Sequence, residues 1–375
     1  MTTLEAAEAV SDLRVASFAT IPSPAEIAGE LPVGADGEAF VRRSREDVRA
    51  VIAGDDDRLL VVAGPCSIHD PVAGLDYAER LAAEADRHRD DLLVVMRAYF
   101  EKPRTTVGWK GLINDPRLDG SHDVENGLRI ARRFLLDVTA LGLPTATEFL
   151  EPLSPQYIAD LVTWGAIGAR TTESQIHRQL ASGLSMPIGF KNGTDGGVQV
   201  ALDAAAAASA PQAFLGIGDD GRASLVTTTG NPDTAVILRG GADGPNHGPE
   251  HVRRASERLA AAGMTPRVIV DASHGNSGKD HVRQAEVVAE LAEQVASGGA
   301  VAGVMLESNI VGGAQRLDVA AGPDGLVYGQ SVTDACMAWE TTAVVLDRLA
   351  DGVRRRRGRA LRVISPQRAP HTVER

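Results

Sequence analysis

Short apolar runs alternate with longer amphipathic stretches from about residue 58 almost to the end of the chain. Such short runs are typical of strands that are buried on both faces of a parallel sheet. We predict eight strands: Leu59–Ala63, Leu92–Met96, Pro144–Ala146, Ala166–Ala169, Pro187–Phe190, Val236–Leu238, Val268–Val270 and Val301–Leu306. Helical stretches are expected between them, among them residues 75–88, 124–141, 154–163, 197–209, 249–262 and 281–297.

This alternation predicts an α/β fold of the (β/α)8 TIM barrel type. A doubly wound open sheet is the alternative, but no Gly-rich dinucleotide fingerprint follows the first predicted strand. One unit is irregular, because Phe214–Ile217 and Ala223–Thr228 flank the turn sequence Asp219-Asp220-Gly221. That pattern predicts a β-hairpin inserted before the sixth strand.

Two terminal segments lie outside the alternation. Residues 1–55 are interpreted as an N-terminal arm with an oligomeric or regulatory role, and we expect a helix there from Asp36 to about Ala53, closed by Gly54. Residues 56–352 form the predicted catalytic barrel, with the hairpin inserted at 212–230. Residues 353–375 are interpreted as a basic, frayed C-terminal tail.

Composition narrows the class of protein. The 375 residues carry a formal net charge of −12, which argues against nucleic-acid binding. No apolar run approaches the length of a membrane span, and nothing reads as a secretory signal. The two cysteines, Cys66 and Cys336, cannot form a disulfide framework, so we expect a cytoplasmic protein.

Polar or reactive residues stand at the predicted carboxyl end of every strand. In a TIM barrel these ends meet at one mouth, where such residues indicate a functional site. A single arginine there would be explained as a capping or snorkelling residue, but eight positions in register are not surface decoration. They are Cys66, Arg97, Glu148, Arg170, Lys191, Arg239, His274 and Glu307.

One part of this set is cationic and is extended by the stretch from Met96 to Thr106. So many positive charges in one mouth repel each other unless anions balance them, and two phosphates with a carboxylate would do so. Backbone N–H groups of Gly168 and Ala169 could add anion donors. The cations are Arg97, Lys102, Arg104, Arg170, Lys191 and Arg239.

The other part is a mixed set of thiolate, imidazole and carboxylate groups. It suits one divalent transition metal, such as Mn, Fe, Co or Zn, whereas sulfur and nitrogen disfavour Mg and Ca. The candidate ligands are Cys66, His274, Glu307 and Asp334. The alternatives are that Cys66 is a buried core thiol and that Asp334 caps a helix over Ala335–Val345.

Several long motifs resemble the microbial type I 3-deoxy-D-arabino-heptulosonate 7-phosphate (DAHP) synthases, the aromatic-amino-acid-regulated class. The resemblance covers about residues 12–352. Its motifs are Gly64-Pro65-Cys66-Ser67-Ile68-His69-Asp70, Arg97–Trp109, Gly168-Ala169-Arg170-Thr171-Thr172-Glu173-Ser174, Gly189-Phe190-Lys191-Asn192-Gly193-Thr194-Asp195-Gly196, Leu238-Arg239-Gly240-Gly241, Ser273-His274-Gly275-Asn276 and Gly329–Cys336.

The resemblance implies condensation of phosphoenolpyruvate with erythrose 4-phosphate on a divalent metal, as the first step of the shikimate pathway. Phosphoenolpyruvate-binding positions are matched by Arg97, Lys102, Gly168, Ala169, Arg170, Lys191 and Arg239. Pro103, Arg104 and Thr105 match the erythrose 4-phosphate segment, and Cys66, His274, Glu307 and Asp334 match the metal ligands. Lys102 and His274 are the candidates for moving protons in the reaction.

The resemblance also implies a homodimer or homotetramer that an aromatic amino acid inhibits. The effector cavity would be lined by Pro155, Gln156, Leu180, Leu184, Ser185, Phe214 and Gly216. Phenylalanine-sensitive relatives tend to carry Ser where Gly216 stands, and the hairpin looks most like the tyrosine-sensitive form. We therefore expect inhibition by tyrosine, with phenylalanine weaker.

Three other functions remain open at this stage. They are a related barrel that joins phosphoenolpyruvate to another sugar aldehyde such as arabinose 5-phosphate, a Schiff-base aldolase using Lys191, and a non-catalytic aromatic-sensing barrel. The neighbouring ends of the first and eighth strands also predict that Cys66 and Cys336 lie close together, although an inert core Cys336 is an equal alternative.

Overall fold

Eight parallel strands close into a barrel. Around the barrel the strands, whose residue ranges are given below, come in the order β1-β10-β9-β8-β5-β4-β3-β2. The computed structural model describes residues 10–104 and 108–364, with side chains described as far as residue 360. The predicted (β/α)8 barrel is therefore confirmed, and all eight predicted strands are present. The barrel strands are β1 (Leu59–Gly64), β2 (Leu92–Arg97), β3 (Thr145–Glu148), β4 (Trp164–Ile167), β5 (Ile188–Lys191), β8 (Thr234–Leu238), β9 (Val268–Asp271) and β10 (Val301–Glu307), with β6 (Ala213–Ile217) and β7 (Ala223–Thr227) between β5 and β8.

Helices precede the barrel and fill its connections. Between β3 and β4 the predicted regular helix over 154–163 is replaced by a four-residue helical turn and a 3-10 turn, Ala159–Leu161. The helices are α1 (Pro24–Glu30), α2 (Gly34–Ala53), α3 (Pro71–Arg87), α4 (Val124–Ala140), α5 (Pro155–Ile158), α6 (Gln175–Gly183), α7 (Gln199–Ser209), α8 (Pro249–Ala261), α9 (His274–Ser277), α10 (Arg283–Ala296) and α11 (Trp339–Ile364).

The N-terminal arm packs its apolar face against the barrel. Helix α2 begins at Gly34 rather than Asp36 and ends at Gly54, which adopts the expected left-handed conformation with φ of 92°. Val48, Val51 and Ile52 of α2 belong to the same apolar cluster as Leu60 and other side chains of the barrel strands. The arm thus contributes to the core that holds the barrel together.

The inserted hairpin is also confirmed. Strands β6 and β7 pair antiparallel, with Leu215 opposite Leu225. The hairpin contacts the arm, because the Ala25 N–H donates to the carbonyl of Asp219 over 2.9 Å. It therefore lies next to α1 rather than projecting alone into solvent.

The end of the chain differs from the sequence-based expectation. Residues 353–364, which we expected to belong to a frayed tail, continue α11. Arg357 pairs with Asp57 over 2.6 Å and with Asp91 over 2.7 Å, and these acidic residues flank the beginnings of β1 and β2. The charge run is thus partnered with acidic side chains across the barrel end, a tertiary contact that local composition does not reveal.

Candidate functional site

A cavity of about 250 Å³ opens where the barrel strands end. Five of the eight strand-end residues identified in the sequence line this cavity: Glu148, Arg170, Lys191, Arg239 and His274. The other three, Cys66, Arg97 and Glu307, are buried and contact one another beside it. The parallel barrel therefore gathers residues that are more than 200 positions apart in the chain.

Positive charge dominates the cavity lining. Two carboxylates, Glu148 and Asp334, face a larger number of cations there. Such an excess of like charge is favourable only when anionic ligands compensate it. The lining cations are Lys102, Arg104, Arg170, Lys191, Arg239 and Lys279.

The loop after β2 delivers two of these cations. Lys102 is buried, and its Nζ lies 3.1 Å from both the carbonyl oxygen and the Sγ of Cys66. Burial opposes its charge, but Cys66 and Glu307 outweigh that effect and raise the pKa of Lys102. The Arg104 Nε donates to the carbonyl of Trp109, and Arg170 donates to the carbonyl of Pro103. Thr105, the remaining predicted residue of this segment, lies outside the described residues.

Arg97 is placed differently from the other cations. Its guanidinium is buried, lies 3.5 Å from the ring centroid of Tyr99, and donates to Glu307 over 2.9 Å. It also donates to the carbonyls of Pro65 and Cys66. Arg97 thus orders the turn that carries Cys66.

Three predicted metal ligands meet at one point. Ligand atoms of Cys66, Glu307 and Asp334 all lie within 4.8 Å of one another. The fourth, His274, has its Nε2 3.8 Å from Oε1 of Glu307. Burial alone would raise the pKa of Glu307, but His274 and Arg97 lower it to about 2, so this carboxylate is ionised at neutral pH.

Asp271 links the metal ligands to the cationic cavity. Its Oδ2 lies 2.9 Å from Nδ1 of His274 and 3.1 Å from Nζ of Lys191, while Oδ1 accepts a hydrogen bond from the Ser273 N–H. Although burial works against ionisation, His274 and Lys191 hold the pKa of Asp271 well below its usual range. The hydroxyl of Ser273 lies 2.7 Å from Nδ1 as its hydrogen-bond partner, and together with the ionic contact to Asp271 it turns Nε2 towards Glu307.

Sequence reasoning missed some residues of the site. Asp271, the last residue of β9, has the same strand-end signal that identified its neighbours, but the predicted strand stopped at Val270. Lys279 lies five residues after His274 and has a left-handed backbone with φ of 63°, a conformation that local sequence did not indicate. Thr194 and Thr333 also line the cavity and gave no chemical signal on their own.

The two cysteines are both free and fully buried. The Cys66 N–H donates to Sγ of Cys336 over 3.3 Å, so the expected proximity of these residues is confirmed. Asp334 does not cap a helix, because α11 begins only at Trp339. It lies instead between the short strand Gln330–Ser331, which pairs with Val311–Ala314 after β10, and α11.

The predicted effector residues lie on α5, α6 and the hairpin. Gln156 donates from Nε2 to the carbonyl of Ile217 over 3.0 Å, which ties α5 to β6. The hydroxyl of Ser182, on α6, bonds that of Thr228 over 2.7 Å, next to β7. Ser185 lines a different cavity, of about 350 Å³, together with Arg42 and Arg45 of α2. Pro155, Leu180, Leu184, Phe214 and Gly216 belong to these same elements and connections.

Comparison with known proteins gives a consistent picture. The sequence profile of the DAHP synthetase I family matches residues 32–347. The chain is 57% identical over 362 residues to a phospho-2-dehydro-3-deoxyheptonate aldolase of Corynebacterium glutamicum, covering 95% of this chain and 98% of that protein. It is 51% identical over 348 residues to the Phe-sensitive enzyme of that name from Escherichia coli K12, covering 92% and 98%.

A solved structure also matches. The phospho-2-dehydro-3-deoxyheptonate aldolase of Francisella tularensis superimposes with a TM-score of 0.89 at 48% identity, covering 92% of this chain and 100% of that one. Other relatives carry names that record sensitivity to tyrosine or to tryptophan.

Proposed function

The chain belongs to the DAHP synthetase I family, and from that premise we propose that it is a metal-dependent enzyme that condenses phosphoenolpyruvate with erythrose 4-phosphate and water. The products are 3-deoxy-D-arabino-heptulosonate 7-phosphate and inorganic phosphate, in the first step of the shikimate pathway. The observation that carries the proposal is the cationic cavity beside the Cys66, Glu307 and Asp334 cluster. Two phosphorylated substrates balance its charge.

Phosphoenolpyruvate is assigned to the part of the cavity with Lys102, Arg170, Lys191 and Arg239. Gly168 supports this assignment, because a Cβ at this position would lie 2.3 Å from Oε1 of Glu148. Glycine lets the Glu148 carboxylate lie here without having to move, and we propose that the N–H groups of Gly168 and Ala169 bind the phosphate. Arg97 is buried beside the cavity and contributes by ordering the turn that carries Cys66.

Erythrose 4-phosphate is assigned to the Pro103, Arg104 and Thr105 segment. Arg104 is exposed and lines the cavity, and the hydrogen bond from Arg170 to the Pro103 carbonyl joins this segment to the phosphoenolpyruvate side. The two substrates would therefore lie side by side, as a bond-forming reaction requires.

A divalent transition metal fits Cys66, His274, Glu307 and Asp334. The donor set combines sulfur, nitrogen and oxygen within a few ångströms, and Asp271 orients His274 for ligation. When bound, such a metal supplies Lewis-acid polarisation of the aldehyde.

The surroundings of Lys102 and His274 indicate which of these two residues moves protons in the reaction. With a metal bound, His274 would be held at Nε2 as a ligand and at Nδ1 by its contact with Asp271, so we assign proton movement to Lys102, which is buried and cationic.

The decisive experiment is a coupled assay of phosphate release with metal reconstitution. Replacing His274 by Ala should abolish turnover while thermal unfolding stays close to the wild type, since one lost ligand removes the Lewis acid and not the core. If the His274→Ala variant turns over at the wild-type rate in metal-free buffer, the metal assignment is contradicted. Product analysis with erythrose 4-phosphate and with arabinose 5-phosphate separates this enzyme from the related barrel.

The Schiff-base alternative is disfavoured by the surroundings of Lys191. Its Nζ lies 3.1 Å from Asp271 in a buried pair, which a Schiff base would have to break. Borohydride with substrate should therefore trap no adduct. A non-catalytic sensing barrel is disfavoured because all four candidate metal ligands are retained near one another.

We also propose feedback inhibition by tyrosine, with phenylalanine weaker. A Cβ at Gly216 would lie 2.8 Å from Cγ2 of Val226, which pairs with Phe214 across the hairpin, so a larger residue here would have to displace Val226. Glycine avoids this contact, and we propose that it thereby leaves room nearby for a phenol hydroxyl. Gly216→Ser should weaken inhibition by tyrosine relative to phenylalanine, whereas Gly218→Ser, in the same hairpin, should not. Equal insensitivity to Tyr, Phe and Trp at millimolar concentration would contradict the proposal.

Assembly as a homodimer or homotetramer is supported by apolar side chains that the arm and hairpin expose. Phe18 is 81% exposed, and the paired Leu215 and Leu225 are 88% and 72% exposed. Within the described residues, no helix is both long and apolar enough to cross a membrane. We propose a cytoplasmic location on the basis of the pathway.

A further inference from the structure

Three buried asparagines connect the loops that follow β5, β8 and β9. Asn192 comes directly after Lys191, Asn246 lies seven residues after Arg239, and Asn276 lies two residues after His274. Their exposed fractions are 0%, 7% and 1%, respectively. Each therefore lies in the same loop as a cavity residue, but none of the three asparagines lines the cavity itself.

Asn192 uses all four hydrogen-bonding positions of its amide. Its Oδ1 accepts from the Arg239 N–H over 2.8 Å and from Nδ2 of Asn246 over 3.2 Å. Its Nδ2 donates to the carbonyls of Gly193 over 2.8 Å and Gly240 over 3.1 Å. One side chain thus holds the peptide group before Arg239 and the peptide group after Gly240.

Asn246 and Asn276 extend this set of contacts to β9. Oδ1 of Asn246 accepts from the Gly240 N–H over 2.7 Å, and its own N–H donates to Oδ1 of Asn276 over 2.7 Å. Nδ2 of Asn276 donates to the carbonyls of Leu238 over 3.1 Å and Asp271 over 2.8 Å. The last bond holds the residue that contacts both His274 and Lys191.

The backbones of the three loops pack directly against one another at this point. A Cβ at Gly240, where φ is 72°, would lie 2.5 Å from the carbonyl carbon of Gly275. A Cβ at Gly241 would lie 2.2 Å from the N of Gly196, in the loop after β5. The loops therefore interlock without side chains between their backbones, and the asparagine amides fix their relative position.

We infer that Asn192, Asn246 and Asn276 are positioning residues that hold Lys191, Arg239 and His274 in a common geometry, and that through Lys191 and Arg239 they set the affinity for the phosphorylated carboxylate substrate. This inference rests on the proposed function of the cavity. It assigns the asparagines no contact with substrate. Their effect is transmitted by the backbone of Arg239 and by Asp271.

The chemistry of the amide makes the idea testable with little change in volume. Asn192→Asp keeps the shape and the acceptor oxygens but removes both N–H donors. The new oxygen would face the carbonyls of Gly193 and Gly240, which now lie 2.8 and 3.1 Å from Nδ2. A buried acceptor opposite two acceptors is unfavourable, so the Arg239–Gly240 turn should shift.

Asn231 offers a matched control elsewhere in the same chain. It is buried to a similar degree, at 5% exposure, and its Nδ2 donates to the carbonyls of Ala181, Leu184 and Met186. These carbonyls precede β5, at the barrel end opposite the cavity. Asn231→Asp should destabilise the protein without a selective effect on phosphoenolpyruvate.

The experiment measures phosphoenolpyruvate binding to the Mn²⁺-loaded protein by calorimetry, together with KM for each substrate and the thermal unfolding midpoint. Asn192→Asp should weaken phosphoenolpyruvate binding about tenfold or more, whereas KM for erythrose 4-phosphate should change by no more than about twofold. Asn231→Asp should lower the unfolding midpoint and leave both substrates unaffected. If Asn192→Asp does not fold, Asn246→Asp replaces it, with the same selective effect expected.

A double variant adds a further criterion. Because Asn192 and Asn246 share one network, the loss of affinity in the double variant should be smaller than the product of the two single effects. Unchanged phosphoenolpyruvate affinity in a folded Asn192→Asp or Asn246→Asp protein would overturn the inference and leave the proposed function standing. Failure of the wild type to bind phosphoenolpyruvate would instead overturn the proposed function, and the inference with it.

Discussion

Asp271 contacts both parts of the candidate site, the predicted metal ligands and the cations of the cavity. It is fully buried and contacts a candidate metal ligand, His274, and a candidate phosphate ligand, Lys191. Although burial opposes ionisation, His274 and Lys191 hold the pKa of Asp271 well below its usual range, so it is a carboxylate at neutral pH. A single side chain therefore balances the charge of one group and orients the other.

Replacing Asp271 by Asn should weaken metal binding about 10- to 100-fold, because the amide no longer fixes His274 with a full negative charge. Calorimetric titration of the metal-free protein with Mn²⁺ measures this directly. Asp115→Asn is the control, since Asp115 is also buried but bonds Gly120 outside the cavity. Equal Mn²⁺ affinity in Asp271→Asn and the wild type would show that Asp271 has no role in holding the metal.

The cysteine pair predicts a redox response. The Cys66 N–H lies 3.3 Å from Sγ of Cys336, so the two residues are in direct contact. Burial raises the pKa of both thiols, which disfavours the reactive thiolate and makes their oxidation slow. In the metal-free protein, peroxide should form a Cys66–Cys336 disulfide, and dithiothreitol should restore activity.

The control for this prediction is Cys336→Ser. In that variant no nearby thiol can condense with the sulfenic acid of Cys66. Oxidation of Cys66 therefore continues to the sulfinic and sulfonic acids, which dithiothreitol does not reduce. Activity should therefore be lost without recovery. Recovery to the wild-type extent would rule out the pairing.

At the scale of helices and strands, hydrophobic pattern was enough for most of the fold. The eight barrel strands are buried except for Thr234 at the start of β8, so most show as apolar runs, and Asp219-Asp220-Gly221 marked the hairpin turn. Helices α1 and α6 and the four-residue α9 were not predicted. The first is a seven-residue helix between prolines, stabilised by a Ser23–Glu26 capping box, and its hydrophobic pattern is too short to detect.

The site shows the same division between local and long-range information. Strand-end position identified most cavity residues, because a closed parallel barrel brings those ends together. Asp271 was missed because the predicted strand stopped one residue before it, and Lys279 because its position depends on the loop from Ser273 to Asp280, whose backbone is irregular. The asparagine contacts also depend on three loops meeting, which no local pattern encodes.

Glu101 joins the loop after β2 to the loop after β3, and its burial leads us to predict a pH dependence of stability. It accepts hydrogen bonds from the N–H of Glu151 and the hydroxyl of Ser154, which connects the substrate loop after β2 to the turn before α5. Burial raises the pKa of Glu101 to about 7 from its ordinary value of 4.5. The folded protein therefore retains a proton that the unfolded chain releases.

The sign follows from that difference. Stability from Glu101 is fully present below about pH 4.5 and is lost as pH rises to about 7, to a total of about 3 kcal/mol, with no further change above. Glu101→Gln removes the titration, so urea unfolding of this variant should depend less on pH between 5 and 7.5. An identical pH dependence in both proteins would mean that Glu101 titrates normally.

On the scale of the whole molecule, the charge of the cavity opposes the charge of the chain. The protein carries a formal net charge of −12, yet six cations line the barrel mouth against two carboxylates. A local positive field within an acidic surface draws anionic substrates to the mouth and repels them elsewhere. The barrel makes this possible because it gathers the cations from the ends of several separate strands.

This arrangement predicts that salt acts on substrate capture rather than on the chemical step. Raising ionic strength towards 0.5 M with potassium chloride should lower kcat/KM for phosphoenolpyruvate, because screening becomes strong beyond about 10 Å already near 0.1 M, while kcat should change little. Lys279→Gln should reduce the salt dependence, since Lys279 lines the mouth and is 59% exposed. Arg254→Gln is the matched control, because it removes the same charge from an exposed position on α8 where Arg254 pairs with Glu250. Equal salt dependence in the two variants would mean that net charge, and not the field of the mouth, governs capture.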